Sequence, residues 1–336
     1  MAEAPPQHQQ LHQRLQLPLI AGFDAGQTHT TCRLALLTAT GTWTSLAEGE
    51  GSGVSHLGAP AGEQRFEAAL RSSFTAALAA AGLSGHQPLA AAAVGASGIE
   101  AGTAVQRRGL ALTAAALGLR PQQADVCGDE HTALLGAFGE QPGVLVISGT
   151  GCIALGRDAG GRTHRCGGWG WLLDGAGSAM DIGRDGLALS VQMADGRLAE
   201  TPLRAALWQA LAVETPQQVK AAVVADGFAP AGFARLAPLL DAAAASGDPQ
   251  ARAVIERSAE ALAQMVAGVS LRLDLAQPAV CGVGGALQHL GTLQAAFSRA
   301  MERHCPGAQL QAAAGDACAG ALSLAAQAAL RCRSAS

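Results

Sequence analysis

The segment VLVISGTGCIALG (Val144–Gly156) interrupts a run of strand-forming aliphatic residues with Ser-Gly-Thr-Gly and then resumes it. A continuous buried strand has no use for two glycines and two hydroxyls at its middle. A loop that brings backbone N–H groups close to an anion does, because glycine permits the tight conformation and the hydroxyls add donors. The segment therefore predicts two strands joined by a phosphate-binding loop at Ser148, Gly149, Thr150 and Gly151.

Elements on both sides of this segment recur in a similar order, which predicts an α/β fold built from two related halves. Alternating apolar residues and glycine turns indicate strands, and apolar residues at helical spacing indicate helices. Two similar α/β halves suggest a duplication with a cleft between them. The predicted strands are Leu19–Asp24, Thr31–Thr38, one ending at Glu48, Leu89–Val94, Ala124–Cys127, Val144–Ile147, Ile153–Arg157, Arg162–Cys166 and Pro278–Val283, and the first helices are Glu63–Ala81, Thr103–Leu117 and His131–Phe138.

The length and apolar content of the chain suit two medium-sized domains. The 336 residues are 49% hydrophobic, which is enough material for two cores. We predict a disordered leader over residues 1–17, an N-terminal domain over residues 18–122 and a C-terminal domain over residues 123–315. A final helix over residues 316–332 is expected to pack back on the N-terminal domain.

The composition argues against nucleic-acid and membrane partners. The net charge is −4 and aromatic residues make up 3%, whereas a nucleic-acid groove shows a basic stripe with interleaved aromatics. No apolar run is long enough to span a bilayer, and the N-terminus lacks the apolar core of a signal peptide. The eight cysteines form no C-x-x-C pair, which indicates a reduced, cytoplasmic protein without a zinc site.

The segment FDAGQTHTTCRLAL (Phe23–Leu36) predicts a second phosphate-binding loop. Asp24 ends a buried strand, a turn of small residues follows, and hydroxyls begin the next strand. Backbone N–H groups with the Thr28 and Thr30 hydroxyls could bind phosphate, and Asp24 could orient a hydrated Mg²⁺. An ordinary hairpin with a turn aspartate explains the pattern equally well. One such loop in each half could clamp a nucleoside triphosphate from both sides.

Asp129, in CGDEHTALLGA (Cys127–Ala137), is the candidate general base. It follows a predicted strand and precedes a helix, a position that suits a carboxylate taking a proton from an attacking hydroxyl. Aspartate is also a preferred N-cap residue, so a simple helix cap is the alternative interpretation.

Two further glycine-rich segments lie in the second half. RCGGWGWLLDGAGSAMDIG (Arg165–Gly183) has too many glycines for a regular strand or helix. It predicts a rigid loop that presents its backbone to a ligand, with Trp169 close to that ligand and Trp171 packed in the core. AVCGVGGALQHL (Ala279–Leu290) leads a buried strand into a helix through glycines that allow an adenosine to lie against the backbone. Strand-to-helix turns often need glycine in any case.

Taken in order, DAGQTHT, GDEHTALLGA, PGVLVISGTG, GGWGWLL and CGVGG resemble the motifs of the BadF/BadG/BcrA/BcrD ATPase family, and within it the N-acetylglucosamine kinase-like sugar kinases. The resemblance runs from about Leu19 to Ala325. It implies two duplicated ribonuclease-H-like domains of the actin and hexokinase type, with ATP and Mg²⁺ in the central cleft. It further implies a catalytic base at Asp129, phosphate contacts at Asp24, Gly26, Gln27, Thr28, Thr30, Ser148, Gly149, Thr150 and Gly151, an adenosine side at Gly282, Gly284 and Gly285, a water-mediated Mg²⁺ contact at Asp24, and sugar contacts at Asp129, Gly167, Gly168, Trp169, Gly170, Asp174 and Ser178.

The sequence departs from the family pattern in three places. The first loop lacks two glycines and the lysine of its relatives, although Gln27 can still donate a hydrogen bond. Gly175 and Ala176 occupy the acidic positions of the family's G-D-E-G-S, and Asp174 stands one place early. Gly53 stands where relatives carry a sugar-contacting asparagine. These departures leave the identity of the sugar open, and a non-standard acceptor fits them.

The resemblance favours an ATP-dependent kinase that phosphorylates a hydroxyl of an amino sugar such as N-acetylglucosamine or glucosamine. One alternative is an ATPase activator of a radical dehydratase or reductase, which would need cysteines placed to hold an iron–sulfur cluster. Another is a non-catalytic sugar or nucleotide sensor with the same fold. Homodimers are common among such kinases, but no interface pattern stands out in the sequence.

Overall fold

The chain forms two structural units, each with its own five-stranded sheet. The computed structural model describes residues 17–83 and 88–334. The first unit comprises the chain up to Glu140 together with the chain from Ala314 onward, and the second comprises Gln141–Ala313. No helix of the described residues is long and apolar enough to cross a membrane. The predicted leader lies, except for Leu17, outside the described residues.

The sheet of the first unit has the strand order β3-β2-β1-β4-β5. Strands β1, β2 and β3 are antiparallel neighbours, whereas β4 and β5 run parallel to β1. The carboxyl ends of β1, β4 and β5 therefore meet at one edge, which is where ligands bind in sheets of this kind. The strands are β1 (Leu19–Ala25), β2 (His29–Leu37), β3 (Trp43–Ser52), β4 (Leu89–Ala96) and β5 (Ala124–Gly128).

Helices cover both faces of this sheet, because its central strands are apolar on both sides. Helices α1 (Gly62–Ala80) and α2 (Ala104–Leu117) lie on one face, where Phe66 of α1 shares a buried cluster with Phe23 of β1. Helix α3 (Asp129–Phe138) and the C-terminal helix α12 (Ala317–Ser334) pack against each other, and both contact β1 and β4.

The boundary between the units lies after Glu140 rather than after residue 122, where the sequence placed it. Strand β5 hydrogen-bonds to β4, and α3 packs on β4, so both elements belong to the first sheet. The second unit therefore begins with the strand that carries the first quoted segment.

An ion pair ties the start of α12 to β2. Arg33 donates two hydrogen bonds, of 2.6 and 2.7 Å, to the carboxylate of Asp316. The same carboxylate accepts a 2.9 Å hydrogen bond from the backbone N–H of Ala319, so it also caps the helix. Burial alone would raise the pKa of Asp316, but its hydrogen bond with Arg33 holds that pKa below the ordinary value.

The sheet of the second unit repeats the plan of the first, with the order β10-β9-β6-β7-β8. Three neighbouring strands are again antiparallel, and the other two run parallel to the first of them. The shared topology is the duplication that the sequence predicted. The strands are β6 (Gly143–Ser148), β7 (Cys152–Arg157), β8 (Thr163–Gly167), β9 (Ala279–Val283) and β10 (Gln309–Leu310).

A long helix forms the centre of the second core. Its buried residues Leu262 and Val266 belong to the same cluster as Val144 of β6 and Ala154 of β7. The helices of this unit are α4 (Ala179–Ala194), α5 (Pro202–Leu211), α6 (Pro216–Val224), α7 (Ala229–Ala234), α8 (Ala237–Ala245), the long α9 (Pro249–Arg272), α10 (Gly285–His289) and α11 (Gly291–His304).

Candidate active site

The hairpin between β1 and β2 presents a polar tip. Gln27 and Thr28 are exposed, and the Thr28 hydroxyl lies 3.0 Å from Nδ1 of His29. The backbone N–H of Gly26 donates to the carbonyl of His29, which closes the turn. Thr30 is fully buried instead, and its hydroxyl has no partner among the described residues. The tip can therefore offer Gln27 and Thr28 to an anion, while Thr30 lies behind it.

The segment after β3 supports this tip from the side. Val54 donates a 2.9 Å backbone hydrogen bond to the carbonyl of Gly26. A Cβ at Gly53 would lie 2.1 Å from the carbonyl oxygen of Gln27, so no side chain fits there. The glycine at the position of the family's asparagine thus follows from the course of this loop.

Asp24 and Asp129 come together at the carboxyl edge of the first sheet. Asp24 of β1 pairs in register with Gly95 of β4, which pairs with Cys127 of β5, two residues before Asp129. A Cβ at Gly95 would lie 2.0 Å from Oγ1 of Thr132, so the missing side chain lets α3 pack directly on β4. The first residue of α3 is therefore held beside the end of β1.

Both carboxyls resist ionisation. Burial, followed by the nearby charge of Asp129, raises the pKa of Asp24 to about 6, and His29 opposes the shift. Burial also raises the pKa of Asp129, against a hydrogen bond from Glu130. The N-cap of α3 is Gly128, and the Asp129 carboxylate instead accepts a 3.0 Å hydrogen bond from the backbone N–H of Glu130. The helix-cap interpretation of Asp129 therefore does not describe this site.

The loop between β6 and β7, Ser148–Gly151, is the one that the sequence predicts to bind phosphate, and we name it the phosphate hairpin. Thr150 and Gly151 are exposed, and the backbone N–H of Gly149 donates to the carbonyl of Gly151. A Cβ at Gly149 or Gly151 would meet no described atom within 4 Å, and neither residue has a positive φ. Neither backbone strain nor crowding in the fold demands these two glycines, so they leave open space for a ligand.

Ser148 has a different environment from the rest of the hairpin. Its side chain is fully buried, and its hydroxyl donates a 2.6 Å hydrogen bond to the carbonyl of Gly177. Gly284, between β9 and α10, lies against it from the other side, since a Cβ there would be 2.5 Å from the Ser148 carbonyl oxygen. Gly284, one of the glycines predicted to line the adenosine side, therefore adjoins the phosphate hairpin.

The segment after β8 is exposed and contains several apolar side chains. Gly167, Gly168 and Gly170 all have positive φ. Trp169 is 61% exposed, and the guanidinium of Arg165 lies 4.4 Å from its ring centroid. The prediction that Trp171 packs in the core is wrong: Trp171 is 43% exposed, and the two leucines after it are more exposed still.

The turn Gly175–Ser178 follows this exposed segment, and we name it the acceptor turn because the family resemblance predicts sugar contacts in this region. Asp174 is partly buried, with a carboxylate oxygen 3.6 Å from where a Cβ of Gly167 would lie. Ser178 is fully buried and serves as the N-cap of α4, accepting from the backbone N–H of Asp181 and donating to the carbonyl of Gly175. Asp174 is thus the side chain of this region that best suits a sugar hydroxyl.

The sequence interpretation missed Asp181. It is a buried carboxylate in the first turn of α4, paired with Arg184 of the same helix and Arg257 of α9. Burial raises its pKa, and the two arginines oppose the shift. The available signal was an aspartate within an apolar run with an arginine three residues later, which is helical spacing.

Comparison with known proteins gives one family and several related kinases. The model of the BadF/BadG/BcrA/BcrD ATPase family matches residues 21–320. An N-acetylmuramic acid/N-acetylglucosamine kinase from Clostridium acetobutylicum is 26% identical over 60% of this chain, and an N-acetyl-D-glucosamine kinase from Dictyostelium discoideum is 30% identical over 52%. The alignments span 66% and 56% of the lengths of these two relatives.

A solved structure supports the fold over nearly the whole chain. A candidate N-acetylglucosamine kinase from Chromobacterium violaceum is 29% identical, with a TM-score of 0.74, and the match covers 92% of this chain and 99% of that one. Together with the two sheets of one topology, this likeness confirms the predicted α/β fold of duplicated, actin-like domains.

Proposed function

The chain belongs to the BadF/BadG/BcrA/BcrD ATPase family, and from this premise we propose that it transfers the γ-phosphoryl group of ATP to a hydroxyl of an amino sugar. The observation that carries the proposal is the phosphate hairpin. Packing does not require its two glycines, Gly149 and Gly151, and they leave open space beside the loop. The names of the curated relatives support an N-acetylated amino sugar as the acceptor.

In the proposed reaction Asp129 acts as the general base. Its pKa is raised by burial, so it is a stronger proton acceptor than an ordinary aspartate and can take the proton of the attacking hydroxyl. The tip of the first hairpin, with Gln27 and Thr28, and the phosphate hairpin, with Thr150, donate to phosphate oxygens. Phosphoryl transfer needs mainly positioning and charge neutralisation, which these groups supply.

The acidic edge of the first sheet suits a hydrated Mg²⁺. Asp24 is a partly buried carboxylate whose pKa is raised by burial and by a neighbouring acid, and a cation would relieve both effects. Among the described residues, no cluster of three or more ligating side chains could hold an ion by itself. This fits Mg²⁺, which keeps several waters and takes one or two carboxylates together with substrate phosphates. When bound, the ion would neutralise the charge that develops on the phosphates.

The acceptor side is proposed to use Asp174, Trp169 and the positive-φ glycines before them. An indole ring beside a sugar offers apolar surface to its C–H groups, and Asp174 offers an acceptor for a hydroxyl. The altered acceptor turn, with Gly175 and Ala176, is the one observation that favours a sensor without turnover. A homodimer and a cytoplasmic location stay predictions of the sequence.

The first test is a coupled assay of ATP consumption with a panel of acceptors. Three proteins would be assayed: wild type, Asp129→Asn and Asp125→Asn. Each would be given glucosamine, N-acetylglucosamine, N-acetylmannosamine, N-acetylmuramic acid and glucose in turn. Asp125 is a carboxylate of β5, the strand just before Asp129, and it pairs with Arg331, so its variant controls for loss of charge. We expect turnover with one acceptor that falls by about a hundredfold or more in Asp129→Asn only. An unchanged kcat in that variant would exclude Asp129 as the base.

A second pair of variants tests the phosphate hairpin directly. Gly151→Ala and Gly291→Ala each add a methyl group where no described atom lies within 4 Å, but Gly291 is at the start of α11. Both variants are expected to melt like wild type, and only Gly151→Ala should bind ATP more weakly. ATP binding that stays intact in Gly151→Ala, with no turnover of any acceptor, would favour a sensor whose nucleotide lies elsewhere.

A further inference from the structure

Within the second unit, three hydrogen bonds join the phosphate hairpin and the next residue, Cys152, to the acceptor turn and the next residue, Ala179. The hydroxyl of Ser148 donates to the carbonyl of Gly177 at 2.6 Å, and the backbone N–H of Ala179 donates to the carbonyl of Gly149 at 2.8 Å. The thiol of Cys152 donates to the carbonyl of Ala176 at 3.2 Å. The two segments are far apart in sequence, yet three bonds tie residues 148–152 to residues 176–179.

The two side-chain donors are buried. Ser148 is fully buried and Cys152 is 5% exposed, so water does not readily replace either donor. A buried carbonyl that loses its donor is left without a hydrogen bond, which is unfavourable. Because Gly284 packs against the backbone of Ser148, the hairpin is also blocked on its other side. The base of the hairpin, at Ser148 and Gly149, is therefore held to the acceptor turn.

Only the C-terminal end of the acceptor turn is anchored to the core. Ser178 caps α4, and the buried carboxylate of Asp181 in the first turn of that helix is held by Arg184 and by Arg257 of α9. The exposed end of this assembly is the segment that carries Trp169 and Asp174, which the proposed function assigns to the sugar. A ligand that orders this segment acts on the turn, and through the turn on the hairpin.

We propose that Ser148 is a positioning residue that couples acceptor binding to ATP binding. The inference rests on the proposed function, and it replaces the sequence expectation that Ser148 contacts phosphate. An acceptor sugar bound at the exposed segment restricts the motion of the acceptor turn. Because Ser148 is hydrogen-bonded to that turn, the backbone of Gly149 and Thr150 is then also held in one position. Each ligand then tightens the binding of the other by the same factor, since coupling free energy is reciprocal.

The test measures the Kd of a β,γ-imido analogue of ATP with and without a saturating amount of the acceptor found in the screen. Wild type is expected to bind the analogue about tenfold more tightly with acceptor, within the usual range of such couplings. In Ser148→Ala this ratio should fall to about one, although both ligands still bind. Ser270→Ala is the matched control, because Ser270 is a buried serine of the same unit whose hydroxyl donates to Val266 of its own helix.

A second pair of variants covers the case in which Ser148→Ala does not fold. Cys152→Ala removes the thiol tie and should lower the coupling ratio, whereas Cys152→Ser keeps a donor and should preserve it. A ratio in Ser148→Ala or Cys152→Ala equal to that of wild type would overturn the inference.

The experiment also separates this inference from the proposed function. If wild type phosphorylates no acceptor, the kinase proposal fails, and the analogue titration without sugar still decides the role of Ser148. Binding several-fold weaker in Ser148→Ala than in Ser270→Ala would support positioning of the hairpin. Equal affinity in these two variants would refute it.

Discussion

Replacing Gly284 by alanine is expected to displace the phosphate hairpin. Gly284 has φ 91° and ψ 151°, and a Cβ there would lie 2.5 Å from the carbonyl oxygen and 2.7 Å from the carbonyl carbon of Ser148. The backbone conformation costs alanine about 1–3 kcal/mol, and relieving the overlap costs about 1–3 kcal/mol more. The second unit should therefore lose about 2–6 kcal/mol, which for a unit of this size lowers its Tm by roughly 4–24 °C.

The assay for Gly284→Ala combines calorimetry with titration of the ATP analogue. Gly285→Ala is the control, because the described atom nearest to its Cβ is Cδ2 of His289 at 3.9 Å. The Tm of Gly285→Ala should equal that of wild type or be slightly higher. A weaker affinity of this variant for the ATP analogue would support an adenosine lying against Gly285. If Gly284→Ala melts and binds the analogue as wild type does, the reasoning from close packing at Ser148 is refuted.

Three further changes probe the first unit. Asp24→Asn should abolish activity, yet stabilise the ligand-free protein by on the order of 1–2 kcal/mol near pH 8, because folding then no longer buries a charge whose pKa is raised to about 6 by burial and by Asp129. Gly95→Ala should lower kcat at least about tenfold, because a Cβ 2.0 Å from Oγ1 of Thr132 displaces α3 and Asp129, as the coupled assay would show. Asp316→Ala should lower the stability of the unit by about 2–3 kcal/mol in urea unfolding, through loss of a helix cap and of the Arg33 pair.

Each of these changes has a control. The gain in stability from Asp24→Asn should vanish below about pH 4, where the carboxyl of Asp24 is protonated in both folded and unfolded states. A gain in stability that persists there would have another cause. Thr132→Ala added to Gly95→Ala should recover part of kcat, and no recovery would contradict the displacement of α3. The pKa of Asp316 is lowered, so its contribution is present above its unfolded pKa and lost as the pH falls through the folded one. Glu63→Ala, which breaks an exposed pair with Arg108, should change stability little.

The elements were predictable because their signals are local. The glycines and hydroxyls of the phosphate hairpin sit between two aliphatic runs, and that pattern alone places both strands. The position of Asp129 was predictable for the same reason, because it follows a strand directly and stands where a helix begins. The boundary at Glu140 was not predictable, because it depends on the pairing of β5 with β4. The residues around β5 carry no local pattern that identifies β4 as its neighbour in the sheet.

The errors come from tertiary contacts that a local pattern cannot carry. An apolar neighbourhood placed Trp171 in the core, but the residues around it are exposed in a loop. Ser148 looked like a phosphate donor until its hydroxyl proved to bond a carbonyl 29 residues away. The reason for the glycine at 53, where relatives carry an asparagine, is likewise a tertiary contact, because the backbone of Gln27 leaves no room for a side chain there.

The split course of the first unit has a consequence for synthesis on the ribosome. The sheet is complete once β5 has emerged, but the face that carries Ile20 and Ala93 gains its α12 partners, such as Leu322, only after the second unit has been translated. The whole of Gln141–Ala313 is made in between, so the first unit is completed only after the second. A nascent chain therefore carries an apolar sheet face without its α12 cover while the second unit is being translated, a condition that favours aggregation and chaperone binding.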